Sequence, residues 1–409
     1  MPLGDGLQNE TFRDTVRNVI ADFVPDGWRG LGAVAPSDQG ELLANWRETL
    51  RANGLLGVGW PATYGGGGRT LADESVFHEE CVRAGLPSLP HPNDGFGFQL
   101  LGPTLLQCGT EEQKSYFLPR TISGEIRWAQ GYSEPEAGSD LFALRTTATL
   151  DRDEWVINGQ KIWQTAGLTA NWIFALVRTD PAASRSAGIS FLLIPVDQAG
   201  VEVRGIKNMA GETEFAEVFF DNARTESHQV VGGVNNGAKV ALTLLGYERG
   251  AGGLAIALTL EIELNRVIEL ARAYGRHTDG DIRQRIARCR EIVHVLHCSG
   301  FQSLAMLQQH GHLGPESSFT KLLTAEYRQT VTELVLDILG ADALTPCGAP
   351  PISSLEPQPL GLDPTSSAAW VADYLNARPG TIYGGSSEIQ RNTIAEQVLR
   401  LPREPRPAR

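Results

Sequence analysis

The sequence predicts an α+β chain in three parts: an N-terminal helical domain over residues 1–125, a central antiparallel β-domain over 126–232 and a C-terminal four-helix bundle over 233–409. Three observations carry this expectation. Apolar residues recur at helical spacing in the first and last thirds. Short β-branched and aromatic runs crowd the middle, separated by Gly, Pro, Asn and Asp. At 409 residues, with 42% hydrophobic and 20% charged content, the chain has material for more than one core.

The first third is built of capped amphipathic segments. "ELLANWRETLRANGLL" puts Leu42, Leu43, Trp46, Leu50 and Leu55 near one helical face. "TLADESVFHEECVRAG" opens on Thr70 as N-cap, with Asp73 and Glu74 in its first turn and Gly85 at its end. "TEEQKSYFLPR" repeats the plan from Thr110. Gly65–Gly68 is a loop, and no Gly-Lys-Ser/Thr follows to make it a phosphate loop. In the middle third, runs such as "EWVINGQKIW", "NWIFALVRT", "GISFLLIPV" and "AEVFF" read as strands of a sandwich or barrel, with Asn158-Gly159 as a hairpin turn. Beyond "VVGGVNNG", long helices are expected over 236–274, 280–310 and 316–339, the last stopped by Gly340. A Pro-rich connector, expected to be exposed, leads to two final helices near 365–378 and 386–400.

The net charge of -13 gives no general attraction for nucleic acid or anionic membranes, whose binding needs clustered Lys and Arg. An anionic ligand needs a local arrangement of Arg, backbone N–H groups or helix N-termini. The start "MPLGDGLQNETF" lacks a signal-peptide pattern, and the apolar run "GGLAIALTLEIEL" is interrupted by Glu261 and Glu263, so no membrane insertion is expected. Five scattered cysteines favour reduced thiols and a cytoplasmic location.

Four clusters carry candidate chemistry. His294, His297 and Cys298 lie within about one helical turn, but without a further ligand at a matching spacing the packing reading outweighs a metal site. "GYSEPEAGSD", Gly131 to Asp140, is either a polar turn or a loop offering hydroxyls and N–H groups to a ligand edge. Trp163 and Thr165 alternate on a strand and so share a face, which suits a flat ring with polar edges, although a core Trp is the commoner outcome. "TLLGYERGAGG" sets Glu248 and Arg249 among Gly246, Gly250, Gly252 and Gly253. Each helix-interior glycine costs about 1 kcal/mol against Ala, so close packing or room for a ligand must compensate. On local physics, Glu248 is equally a paired surface charge or a carboxylate facing a cavity.

Together these segments resemble the flavin-dependent acyl-CoA dehydrogenase family over nearly the whole chain, through "GWPATYGG", "CGTEEQKSYFLP", "GYSEPEAGSD", "NGQKIWQTAG", "YERG" and "IYGGSSEIQRN" in that order. The resemblance implies FAD held between the β-domain and the bundle, contacted by Tyr132, Ser133, Ser139, Trp163 and Thr165, with Ser386 and Glu388 toward its adenine end. It implies a substrate site of Ser139, Gly246, Tyr247, Arg249, Tyr383 and Gly385. The implied reaction is α,β-dehydrogenation of an acyl-CoA, a Glu taking the α-proton and the β-hydride passing to flavin N5, with an electron-transfer flavoprotein as acceptor. Most members place the Glu in a Tyr-Glu-Gly triplet, which here reads Tyr383-Gly384-Gly385. A minority place it on the long helix, matching Glu248, so Glu248 is the expected catalytic base. The glycines near it and at 384 leave space for a bulky or branched acyl group, a sterol side chain included.

A second departure concerns the stretch that reaches a neighbouring subunit's FAD. Arg276 and Thr278 match the family's Arg and Thr, but the Phe and following Gly of its Arg-x-x-Phe-Gly stretch are gone and Asp337 replaces a Gln. The expectation is a tetramer, either of identical chains or a heterotetramer with a sister subunit. Dehydrogenation of a carrier-protein thioester, oxidation by O₂, and a non-catalytic partner subunit are the alternatives.

Overall fold

The computed structural model describes residues 6–183, 185–248, 253–310, 313–350, 357 and 360–403. Five helices come first: α1 (Gly6–Phe23), α2 (Pro36–Ala52), α3 (Leu71–Ala84), α4 (Gly102–Cys108) and α5 (Glu111–Ser123). The strands follow: β1 (Trp128–Gly131), β2 (Thr147–Asp151), β3 (Glu154–Thr165), β4 (Trp172–Arg178), β5 (Ile189–Pro195), β6 (Val201–Ile206), β7 (Phe215–Glu226) and β8 (Val230–Val231). The rest is helical: α6 (Gly237–Glu248), α7 (Gly253–Ala273), α8 (Gly280–His310), α9 (Ser318–Leu339), α10 (Ser367–Ala377) and α11 (Ser387–Thr393). The helical, β, helical layout expected from periodicity is the observed one.

By packing, the chain gathers into two compact units, one of residues 41–74 and 89–248, the other of 1–40, 75–88 and 249–409. In the first, the strands form a single sheet in the order β6-β7-β3-β2-β4-β5-β8, with β1 added against β4. The sheet is mostly antiparallel, but β1 runs parallel to β4 and β2 meets β4 in parallel at Thr147 and Arg178. Its core is continuous and apolar, including Ile157, Ile173, Leu192, Ile194, Val218 and Ala223, all nearly inaccessible.

Asn158-Gly159 is not the hairpin turn that its dipeptide suggested. It sits inside β3 as a bulge against β7, where the register shifts between Ile157 and Gly159. A Cβ on Gly159 would stand 2.6 Å from the Thr146 hydroxyl, and its φ is +146°, so only glycine passes here without strain. The hairpin itself turns at Arg152-Asp153, between the paired Asp151 and Glu154, with Arg152 in the left-handed region at φ +59°.

Two helices are capped as their sequences indicate, α3 and α5. Thr70 Oγ1 accepts from Asp73 N (3.2 Å) while Asp73 Oδ2 accepts from Thr70 N (3.2 Å). Thr110 and Gln113 form the same reciprocal box at α5. Arg47, in the last third of α2, pairs with Asp94 at 3.0 Å and donates to the carbonyls of Thr121 and Ile122 at the end of α5.

In the other unit, α7, α8, α9 and α10 pack around Leu260, Leu264, Val293, Tyr327, Leu334 and Trp370. Within this bundle Arg328 bonds the buried carboxylates of Glu263 and Asp373, and Arg266 lies over the Trp370 ring while donating to Leu362 O at 2.7 Å. The end of the connector is packed rather than exposed. Leu362 is buried, Leu360 O accepts from Gly32 N at 2.9 Å, and a Cβ on Gly30 would lie 2.3 Å from Leu360 O. Residues 344–350 are exposed, and Ala349 O accepts from Ser366 at the start of α10.

Candidate functional site

The β-sheet unit brings two of the marked segments together. β1 ends at Gly131, where a Cβ would meet Ile173 Cδ1 at 2.8 Å, and the loop of residues 131–140 leaves the sheet there. Ser133 O accepts from Ile162 N of β3 at 3.0 Å. Lys161 of β3 is completely buried and donates to Tyr132 O at 3.1 Å and to Glu134 Oε1 at 2.7 Å. The Glu134 carboxylate also accepts from Arg145 N (2.6 Å) and Thr146 N (3.0 Å). Burial opposes the charge on both partners. It pulls Lys161 down to about 8, whereas Glu134 ends below its ordinary range because Lys161 and the backbone donors outweigh burial. Neither residue is visible as functional in the sequence, since a Lys in an alternating strand reads as outward-facing. The one available signal is a Glu two residues beyond Tyr132 in an otherwise small and polar loop.

Trp163 is where the geometry departs most from simple alternation. A second bulge shifts the β3–β7 register between Ile162 and Gln164, and Trp163 adopts φ +70°. Lys161 and Gln164 point inward, while Trp163 is 58% exposed and Thr165 half-buried. The two therefore share the outer face, as expected, but through a bulge rather than a regular pleat. The indole is no core residue: it stands on the surface with Phe215 edge-on at 6.2 Å and 83°. An aromatic held in the left-handed region is costly for a bulky side chain, and here it presents a flat apolar face on the strand that also carries Thr165 and that binds the Ser133 carbonyl through Ile162 N. That donor set fits a planar ring system with polar edges. Tyr132 is buried against Phe174 and Phe191, and Ser139 is exposed.

The end of α6 is tied down within the same unit. Tyr247 donates its hydroxyl to Gln107 Oε1 at 2.7 Å. Burial raises the Tyr247 pKa, with the nearby Cys108 adding to the shift. A Cβ on Gly246 meets no described atom within 4 Å, so close packing does not account for this glycine. Glu248 is the last residue of α6 by its backbone. Its side chain, and Arg249 and Gly250–Gly252, lie outside the described residues.

In the bundle unit, "IYGGSSEIQRN" forms a turn with Gly384 and Gly385 both left-handed, at φ +62° and +84°. Lys321 of α9 donates to Gly380 O (3.0 Å) and Gly385 O (2.7 Å), and Gln390 of α11 donates to Gly384 O at 2.8 Å. Tyr383 is 54% exposed above Lys321. Ser386 caps α11 by accepting from Ile389 N at 3.3 Å. Glu388 in the first turn is held below its usual range by its own backbone N–H and by Ser386.

Arg276 and Thr278 are not brought to this turn. Arg276 donates to Asp337 O (3.0 Å) and Asp279 Oδ2 (2.9 Å), while Asp337 itself pairs with Arg285 at 2.6 Å. Asp337 and Lys321 are separated by about 24 Å of helix at ~1.5 Å per residue. The two groups therefore occupy opposite ends of α9. His294 and Cys298 approach to 3.9 Å, and His297 lies 3.2 Å from Glu261.

Three family models match the chain in succession: acyl-CoA dehydrogenase N-terminal domain over residues 8–125, middle domain over 129–223 and C-terminal domain over 235–399. The chain is 39% identical to the acyl-CoA dehydrogenase IpdE1 of Mycobacterium tuberculosis, covering 97% of this chain and 98% of that one. Among solved structures it is similar to the Tcur3481-Tcur3483 steroid ACAD (30% identity, TM-score 0.79, 99% and 100% covered). It is also similar to a chain of the ChsE4-ChsE5 complex from Mycobacterium tuberculosis (28% identity, TM-score 0.77, 99% and 100% covered). The succession of all three domain models, the full-length identity and the site motifs together place this chain in the acyl-CoA dehydrogenase family, as a flavoprotein oxidoreductase that dehydrogenates acyl-CoA thioesters.

Proposed function

We propose that the chain dehydrogenates the Cα–Cβ bond of a bulky acyl-CoA with Glu248 as the base, and that it binds FAD. The observation that carries this is the pairing of two facts. The Tyr-Glu-Gly position of the final turn is Gly384, in a left-handed conformation with its carbonyl bonded to Gln390. A carboxylate instead ends α6, next to Tyr247, whose hydroxyl is anchored on Gln107.

Trp163, Thr165, Ser133 and Tyr132 would hold the flavin ring, Ser139 its substrate side, and Ser386 and Glu388 the adenine end. FAD, when bound, supplies the hydride acceptor. The chain's own part is to exclude water, orient the thioester and take the proton. An α C–H is a weak acid, so Glu248 must act in a dry site that raises its basicity while donors stabilise the developing enolate oxygen. Tyr247, Arg249, Tyr383 and Gly385 would position the CoA thioester. Open space beside Gly246 and the absent side chain at 384 support a branched or ring-bearing acyl group, and relatives named as steroid enzymes support a sterol-derived one. The reaction is of the β-oxidation type, with an electron-transfer flavoprotein as the fitting acceptor.

This reading keeps the three-part division at residues 125 and 232 and a cytoplasmic setting. None of the five cysteines is in a disulfide, and among the described residues no helix is long and apolar enough to cross a membrane. It also includes a tetramer, with a heterotetramer favoured. The Arg276 guanidinium is committed to Asp279 and Asp337 is anionic, which opposes delivery of this stretch to a partner's FAD pyrophosphate. Relatives solved as two-protein complexes support the same view.

Two measurements test the proposal. With Glu248→Gln, flavin bleaching by acyl-CoA under anaerobic conditions should slow by about 10³-fold or more; wild-type speed removes Glu248 from the role. Size-exclusion mass with flavin stoichiometry tests the assembly, and a homotetramer with one FAD per chain refutes the heterotetramer.

A further inference from the structure

The Glu134–Lys161 ion pair takes no part in the proton transfer, yet it is a buried, multiply bonded polar group in the β-sheet unit that carries Trp163. Three donors converge on the Glu134 carboxylate from two stretches of chain. Arg145 N and Thr146 N approach at the entry to β2, and Lys161 comes from β3. Lys161 spends a further proton on Tyr132 O at 3.1 Å, and the neighbouring Ile162 N takes Ser133 O at 3.0 Å. The carbonyls of both Tyr132 and Ser133 are thus committed to β3. The loop is closed on itself by reciprocal Glu134–Ala137 backbone bonds of 3.0 Å. Lys161 points inward two residues before Trp163, and the bulge between them turns Trp163 outward. The lock and the aromatic platform are therefore carried by one strand segment, back to back.

A buried ion pair is a poor device for stability alone, because apolar residues of similar volume usually serve as well. Its strength lies in fixed geometry: charge-assisted hydrogen bonds have few acceptable positions. We infer that Glu134 and Lys161 are positioning residues that hold the Tyr132-Ser133 loop at a set distance from the Trp163 strand, and that this spacing sets the protein's affinity for FAD and the reduction potential of the bound flavin. The inference rests on the flavin-binding reading given above.

The test compares the wild type with Glu134→Gln, Lys161→Met and the double variant Glu134→Leu/Lys161→Met, each stripped of flavin and titrated with FAD. Three quantities are read: the FAD dissociation constant, the flavin reduction potential and the thermal midpoint of the apoprotein. The double variant should keep a midpoint near wild type and yet bind FAD about tenfold more weakly, the factor typical of one lost charge-assisted hydrogen bond, with a displaced potential. Glu134→Gln, which keeps the shape and the backbone acceptor, should fall between. Wild type that takes up FAD alongside variants of equal affinity and potential overturns the inference and leaves the flavin reading intact. Variants whose affinity falls only in step with their midpoint overturn it as well. Wild-type apoprotein that takes up no FAD sinks the flavin reading and this inference together. Should the double variant not fold, Glu134→Gln decides by its potential: unchanged, it overturns the lock, and shifted, it sustains it.

Discussion

Single residues decide more of this structure than their sequence neighbourhoods indicate. Gly159 combines φ +146° with a 2.6 Å approach to Thr146. Gly159→Ala should therefore destabilise by about 2–3 kcal/mol, visible as a lower denaturation midpoint; an unchanged midpoint would mean that the bulge relaxes freely. Glu263 is another case. Burial lifts its pKa to about 7 and lifts that of Asp373, with Arg328 between them and Arg266, Tyr327 and Cys289 nearby. A folded carboxyl above its unfolded value of about 4.3 binds more protons than the unfolded chain. Its contribution is fully present below that value and is lost as pH rises toward 7. Wild-type thermal stability should thus decline over that window, and Glu263→Gln should flatten the decline. An identical slope in the variant would remove Glu263 as its cause.

At the scale of elements, local chemistry was readable and long-range chemistry was not. Thr70 and Thr110 were legible as caps because their partners lie three residues away. Gly340 was legible as a stop, and α8 and α9 follow their periodicity closely. Asn158-Gly159 misled because a bulge and a hairpin turn ask the same backbone freedom of the same residues, and only the partner strand distinguishes them. Lys161 and Lys321 were invisible because each finds its acceptors far along the chain, Lys321 at Gly380 and Gly385. The candidate site was legible as a set of segments; Glu248's side chain lies outside the described residues. The final turn offers a direct check. Lys321→Met removes the donor to two of its carbonyls, so KM for acyl-CoA should rise several-fold, on the order of what one charged hydrogen bond contributes. An unaltered KM would show that Gln390 suffices to hold the turn.

At the scale of the whole molecule, the two compact units are not successive in the chain. One is interrupted twice and gathers residues 1–40, 75–88 and 249–409. Its N-terminal part is closed by late residues, with Gly30 and Gly32 packed on Leu360. A chain leaving the ribosome therefore presents the unit of residues 41–74 and 89–248 complete, while the turn at Gly30 and Gly32 waits for Leu360. Stalled nascent chains ending near residue 290 should resist protease across the β-sheet and be cut near Gly30, which Leu360 covers in the full-length protein; early protection there would overturn this order. A segment made among the first is among the last to be secured, and so a premature stop between residues 248 and 360 leaves the cell a folded sheet trailing an unfinished head, a natural handle for degradation.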